Sequence, residues 1–371
     1  MMKYKYIPLF AMFLFFYSCE KDSDQKSSVD RLIPDRTIYI AGSSYNSAGD
    51  MTACYWVDGV RNELPGGAWA TDITVSNGDV YISGTSESYN ACYWVNQQRY
   101  DLPGLGGEAE AIAVNGDDVY VAGWYNNGSC YWEMGKDRLD CKSRFSAFAI
   151  GIRNNGSVYI GGYYMNNHHY VIPCFWKDGN NRTNLPVPSG GDGEVYDIAF
   201  MDGNMRYYGG YVLKTSSFAG YTPTPAYWRH TTRTNLPLGA STMDVYGAVG
   251  NAITIDGEDI YVAGYRDWFG DTGQEGPTGG YTPQYWKNGT LHDLEEGMRT
   301  EYGTGAAYDI KIADGNVVVV GEVPRDTLDS YSIESACVWV NGELNHLVQI
   351  DDVNQNIEDW MQSTAKGLYI E

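Results

Sequence analysis

The sequence predicts an all-β protein, a seven-bladed β-propeller closed into a ring by its own C-terminal strand. Three observations lead there. A Gly closes a short apolar run at Gly42, Gly84, Gly123, Gly162, Gly210, Gly264 and Gly321. After a variable stretch an aromatic pair follows each of them: Tyr55-Trp56, Tyr93-Trp94, Tyr131-Trp132, Phe175-Trp176, Tyr227-Trp228, Tyr285-Trp286 and the weaker Val338-Trp339. The copies are also cut so that the last fragment completes the first. Units of roughly 40 residues with four strand-like pieces each mark propeller blades.

Strand one of the unit reads Ala-x-x-Ile-x-Val, as in Ala70 to Val75, Ala109 to Val114, Ala147 to Ile152 and Ala307 to Ile312, with looser copies at Val195 and Gly250. Its alternation and β-branched residues favour a strand. A hairpin turn follows at Asn77-Gly78, Asn115-Gly116, Asn155-Gly156, Asp202-Gly203, Asp256-Gly257 and Asp314-Gly315, pairs that tolerate positive φ. Strand two is the apolar run ending in the repeated Gly. Strand three carries the aromatic pair. A second turn, as at Asp58-Gly59 or Asn288-Gly289, leads to strand four, after which Leu and often Pro stop the outer edge (Leu64-Pro65, Leu102-Pro103, Leu236-Pro237).

The chain enters at strand two of the first unit, near Thr37, and lacks a strand one there. Ala365-Lys366-Gly367-Leu368-Tyr369-Ile370 fits the missing piece in register. Joining both termini in one blade closes the ring and removes an open edge. An open repeat array would instead need polar capping repeats.

The unit resembles the extracellular HAF-type repeat, in which an Ala-x-x-Ile strand, a Gly-ended strand, a Trp strand and a Leu-rich piece recur. The resemblance covers about residues 37–371. Tyr-Trp and Leu-Pro stand here where that family tends to show a Leu-Trp type pair and a Leu-Gly type piece. The resemblance implies a fold and an extracellular compartment, and no active site.

Residues 1–18 read as a secretion signal, with Lys3 and Lys5 ahead of an apolar stretch through Phe16. Phe16-Tyr17-Ser18-Cys19 resembles a relaxed lipobox, which implies lipidation of Cys19. The acidic Glu20-Lys21-Asp22-Ser23-Asp24 resembles the surface-export tags of some Gram-negative lipoproteins. Residues 19–36 read as a polar tether and 37–371 as the propeller. The expected location is the outer membrane, lipid-anchored and facing the exterior, with no contact to the bilayer beyond the anchor.

The formal net charge of −22 repels nucleic acid and anionic membrane, and favours neutral glycans, cationic partners or divalent cations. Cys54, Cys92, Cys130, Cys174 and Cys337 occupy one repeat position, directly before the aromatic pair, and read as small buried hydrophobes. Cys141 is the odd one, a possible partner for Cys130 across a hairpin. No Cys/His spacing suggests zinc, and no cofactor motif is present.

The stretches between strands two and three are uneven. They are short at 43–53, 85–91 and 124–129, and longer at 163–173, 211–225, 265–283 and 322–335. Variable loops on a regular scaffold are where binding resides. These are also aromatic, and the connections into strand one on the same face add Trp69, Phe145, Tyr246 and Tyr302. The candidate contact residues are Trp124, Tyr163, Tyr211 and Tyr265, each just after the repeated Gly, and Trp268, with Asp267 and Asp271 as hydrogen-bond partners. Ring faces stack on sugar C–H surface and carboxylates take hydroxyls. The 265–283 stretch reads as a loop made supple by Gly276, Gly279 and Gly280. Asp72, Asp197 and Asp309 share one position in strand one and read as structural acceptors for neighbouring backbone. The expectation is therefore a monomeric propeller that binds a glycan on its long-loop face. The rivals are a polysaccharide lyase or glycoside hydrolase, with Asp267, Asp271 and Glu275 as candidate acids, and a protein-interaction subunit of an outer-membrane complex.

Replacing Cys19 by Ala is expected to release the protein from the membrane fraction. A variant that stays with membranes through a salt wash would exclude anchoring at this residue.

Overall fold

The computed structural model describes residues 33–46, 48–125, 128–134, 136, 139–140, 146–201, 205–216, 220–239, 244–271, 277–294, 305–328, 331–347 and 362–371. For 139–140, 214–216, 220–221, 244, 268–271, 277–279, 325–328 and 331–333 only the backbone is described. Cys19, Cys141, Phe145, Glu275, Gly276 and Tyr302, and the side chains of Trp268 and Asp271, therefore lie outside the described residues.

Seven four-stranded antiparallel sheets form the ring. Blade one joins the termini: its innermost strand is Ser363–Ile370, followed by Ile38–Tyr45, Met51–Val57 and Val60–Glu63. Ala365 pairs with Gly42, Leu368 with Ile40 and Ile370 with Ile38, so the C-terminal strand is the clasp. Thr37 and Glu371 exchange backbone hydrogen bonds at its end. Packed residues begin slightly ahead of this strand. Ile33 is buried between blades one and seven, and Arg36 forms a forked ion pair with Asp314.

The hairpin pairs Asp58-Gly59, Asn77-Gly78, Asp178-Gly179, Asn288-Gly289, Asp314-Gly315 and Asn341-Gly342 all hold positive φ at both positions. At Asn115-Gly116, Asn155-Gly156 and Asp256-Gly257 only the Gly takes positive φ, and Asp202-Gly203 lies outside the described residues. The second turn of the blade has a further task. Its Asx side chain accepts the N–H that opens strand two: Asp58 from Ile38, Asp178 from Val158, Asn288 from Ile260 and Asn341 from Val317.

Strand one departs from simple alternation. In every blade it carries a β-bulge one residue after the repeat Ala, opposite the repeated Gly. The extra residue drives a carbonyl against strand two. A Cβ at any of the seven glycines would stand 1.9–2.3 Å from that oxygen, for example Thr364 at Gly42 and Val249 at Gly264. Only Gly leaves room, which is why it ends every apolar run.

The core is divided into seven clusters, one at each interface between adjacent blades. Each holds a repeat Trp: Trp56, Trp94, Trp132, Trp176, Trp228, Trp286 and Trp339 are all at most 3% exposed. The indole also clips blades together. Trp94, Trp132, Trp228 and Trp286 donate to the carbonyls of Pro65, Pro103, Pro186 and Pro237 in the preceding unit, at 2.8–3.2 Å. The repeat Cys residues are fully buried, and burial pushes the Cys54 and Cys92 thiols up to about 12.

One expectation is corrected. The long stretches of blades five to seven are continuations of the sheet rather than loops. Met205–Ser216 pairs with Gly220–Arg229, Asp259–Asp271 with Pro277–Lys287, and Asn316–Leu328 with Tyr331–Val340. Gly279 and Gly280 pair with Phe269 and Trp268, so they belong to a ladder rather than a supple loop. The ladder pairs backbone N–H and C=O groups that a long irregular segment would leave unpaired, and the aromatic and β-branched residues of these stretches favour strand.

Deleting residues 364–371 is expected to lower stability by more than the roughly 2–5 kcal/mol of losing Leu368 packing alone, because ring closure goes with it. An unchanged thermal midpoint would exclude the clasp.

Candidate functional site

The bulge that requires the glycines also builds the central channel. Its extra residue varies around the ring, with six residue types in seven blades, while its neighbours repeat: Thr71, Glu110, Phe148, Tyr196, Asn251, Tyr308 and Lys366. All seven line one cavity of about 680 Å³ on the ring axis. Sequence reasoning missed this ring. Aligning the repeats shows its signal, a variable position inside an otherwise regular strand one.

Several of these side chains bind the adjoining blade. Thr71 donates to the Ala109 carbonyl at 2.6 Å and Asn251 to the Ala307 carbonyl at 2.8 Å. Lys366 lies over the Tyr308 ring at 3.1 Å, and the Tyr308 hydroxyl donates to Glu322 at 2.5 Å. Tyr196 donates to Glu194 at 2.9 Å, packs on Phe148 and stacks with Tyr211.

Asp72, Asp197 and Asp309 form the next layer and serve as the structural acceptors expected of them. Each takes the N–H of its own next residue and one from the following blade: Asp72 from Ile112, Asp197 from Ile253, Asp309 from Leu368, at 2.8–2.9 Å. The last of these bonds ties blade seven to the C-terminal clasp. Lys311 sits among them and donates to Asp309 at 2.6 Å.

The cavity is acidic. Asp72, Glu108, Glu110, Asp197 and Asp309 line it against two ammonium groups, Lys311 and Lys366. Burial raises Asp72 to about 6 and Asp197 to about 7. Glu110 also rises to about 7, first through burial and then through the Glu108 carboxylate, with a hydrogen bond from Trp124 acting the other way. Burial lowers Lys366 to about 8 against the pull of Glu322 and Glu110. For Lys311, the Asp309, Asp197 and Asp72 carboxylates outweigh burial and hold the ammonium above its ordinary value. Among the described residues no cluster of three or more His, Cys, Asp or Glu is placed to hold a metal.

The predicted contact aromatics gather beside this cavity. Trp124 pairs with Glu108, Tyr163 packs on Phe148, Tyr211 on Tyr196, and Tyr265 edge-on to Tyr281 at 4.9 Å. All four are half-buried. Asp267, half-buried and raised by burial, sits opposite Tyr281 in the blade-six ladder. His168 and His169 are exposed in the turn that follows the Val158–Met165 strand of blade four.

No protein-family model matches the chain, and no curated protein matches it at a significant level. Among solved structures it is similar to the β-propeller domain of the Trilobed protease from Pyrococcus furiosus, with 13% identity, 85% of this chain and 95% of that one covered, and a TM-score of 0.49. It is also similar to the acylaminoacyl peptidase of Pyrococcus horikoshii, with 14% identity over 85% of this chain and a TM-score of 0.46. It spans about half (51%) of that peptidase's length. A weaker likeness, TM-score 0.28 and 12% identity, joins 59% of this chain to 95% of the GH43 endo-arabinanase of Bacillus licheniformis.

Glu110→Gln is expected to separate the channel's electrostatics from its packing. The parent's Glu110, raised from 4.5 to about 7, contributes stability below 4.5 that is lost as pH rises through 7. Gln does not titrate, so the variant should melt roughly 2–6 °C above the parent at pH 8, with the gap closing near pH 4.5. A gap independent of pH would show that Glu110 is not buried as described.

Proposed function

We infer that this protein is a surface lipoprotein of the HAF-repeat type, lipid-anchored at Cys19, whose propeller binds a neutral glycan at the mouth of its central channel. One observation carries the reading. Trp124, Tyr163, Tyr211 and Tyr265, at one repeat position in four successive blades, stand beside residues that line a cavity furnished with carboxylates and hydroxyls. Their faces suit the C–H surface of a sugar, and Glu108, Glu110 and Glu194 suit its hydroxyls. The acidic chain weighs against anionic polysaccharides. Asp267 stands close enough to Tyr265 and Tyr281 to take a further hydroxyl, and Trp268 and Asp271 continue the same strand.

The test is an array of neutral glycans probed with the chain from Ile33 onward, scored for both retention and product release. Retention without release is expected, and Tyr265→Leu should bind about 3–10-fold more weakly. Product release would make the propeller a glycan-cleaving enzyme. A Tyr265→Leu variant that binds like the parent would remove the mouth aromatics from the site.

A further inference from the structure

Three blades turn from strand two to strand three with the same short design, at residues 46–50, 86–90 and 166–170. In each, the first residue donates its N–H to the fifth carbonyl, as Ser86 does to Asn90 at 2.9 Å. The fourth residue donates back to the first, as Tyr89 does to Ser86 at 2.9 Å. The first side chain accepts the fifth N–H: Asn46 from Asp50, Ser86 from Asn90, Asn166 from Tyr170. The fourth position is left-handed in all three, and its occupants differ: Gly49 at φ 85°, Tyr89 at 58° and His169 at 65°. Gly sits there at no steric cost, whereas a bulky side chain is strained. Backbone strain of this kind persists where the surrounding hydrogen bonds over-determine it, and it clusters at ligand-binding sites.

Tyr89 gains little from packing that would offset the strain. It is 64% exposed. Its ring lies 5.6 Å from that of Trp69 at a tilt of 50°, and Trp69 is itself 37% exposed and lines the channel cavity. Leu105, 80% exposed, belongs to the segment tied to this turn through Gly106 and Gly107, which donate to Asn90 and Tyr89. The four mouth aromatics are half-buried, whereas Trp69 and Tyr89 in blade two leave ring surface open, as Tyr246 and Tyr281 do in blade six.

We propose that Trp69 and Tyr89 form a stacking platform that carries a neutral oligosaccharide out of the channel mouth across blade two. The inference rests on the glycan reading above and extends it to residues outside the arc of mouth aromatics. Two tilted rings give apolar faces for successive pyranose units, while Glu87 at the turn and Glu108 at the channel supply acceptors for hydroxyls.

The experiment compares the parent, Tyr89→Gly and Trp69→Ala on neutral oligosaccharides of increasing length, with thermal melting of each. Tyr89→Gly should melt at or above the parent temperature, because Gly49 occupies the same turn relaxed. Its affinity, and that of Trp69→Ala, should fall about tenfold on longer chains and less on short ones. Equal binding by the parent and Tyr89→Gly overturns the platform and leaves the mouth reading intact. A Tyr89→Gly protein that loses binding together with melting temperature assigns Tyr89 to packing and also overturns it. A parent that retains no glycan overturns both readings.

Discussion

The contact between a bulged carbonyl in strand one and a bare Cα in strand two organises this molecule. It recurs at all seven glycines with 1.9–2.3 Å between the oxygen and the position of a would-be Cβ. The bulge bends the innermost strand and re-aims one residue toward the axis. The same event thus sets the geometry of the ring's inner wall and chooses the side chains that furnish its channel. A Cβ at any of these glycines would push the two inner strands apart, and with them the blade's share of the channel.

Cohesion around the ring comes from two sets of links at different radii. Near the axis, Asp72, Asp197 and Asp309 each bridge two blades through backbone N–H groups. Farther out, the Trp indoles reach the carbonyls that follow strand four of the previous blade. Between them lie the seven apolar interfaces. Burying carboxylates so close together is unfavourable for their charged forms, as the raised Asp72 and Asp197 attest. Lys311 offsets part of that cost from the centre of the group.

The channel is consequently a polar, acidic space bordered by aromatics, and its chemistry varies around the circle. One arc is rich in Tyr and Phe, from Phe148 through Tyr196 to Tyr308, and another holds Glu110, Lys366 and Thr71. A ligand entering it meets Tyr at two blades and a different group at each of the other five, although the scaffold beneath is repetitive. This asymmetry comes from a single variable position per repeat. The regular positions around it are spent on the scaffold.

Much of this was legible along the chain. Blade number, the four strands, the hairpin turns, the C-terminal clasp, the buried Trp series and the structural role of the Asp series all follow from local patterns. Periodicity, Asx-Gly pairs and repeat alignment encode interactions between residues close in sequence or at equivalent positions. The extended hairpins of blades five to seven resemble loops in sequence, because glycines and prolines there mimic irregular chain while the ladder satisfies their backbone. The bulge was hidden for a related reason: one extra residue in a six-residue motif looks like ordinary alternation. Which side chains meet was decided by tertiary structure alone. Glu110 and Lys366 come from blades three and one, and Trp69 meets Tyr89 only because a hairpin folds one over the other. Ring closure brings such distant positions onto one axis, and no pattern within a single repeat records the distances between them.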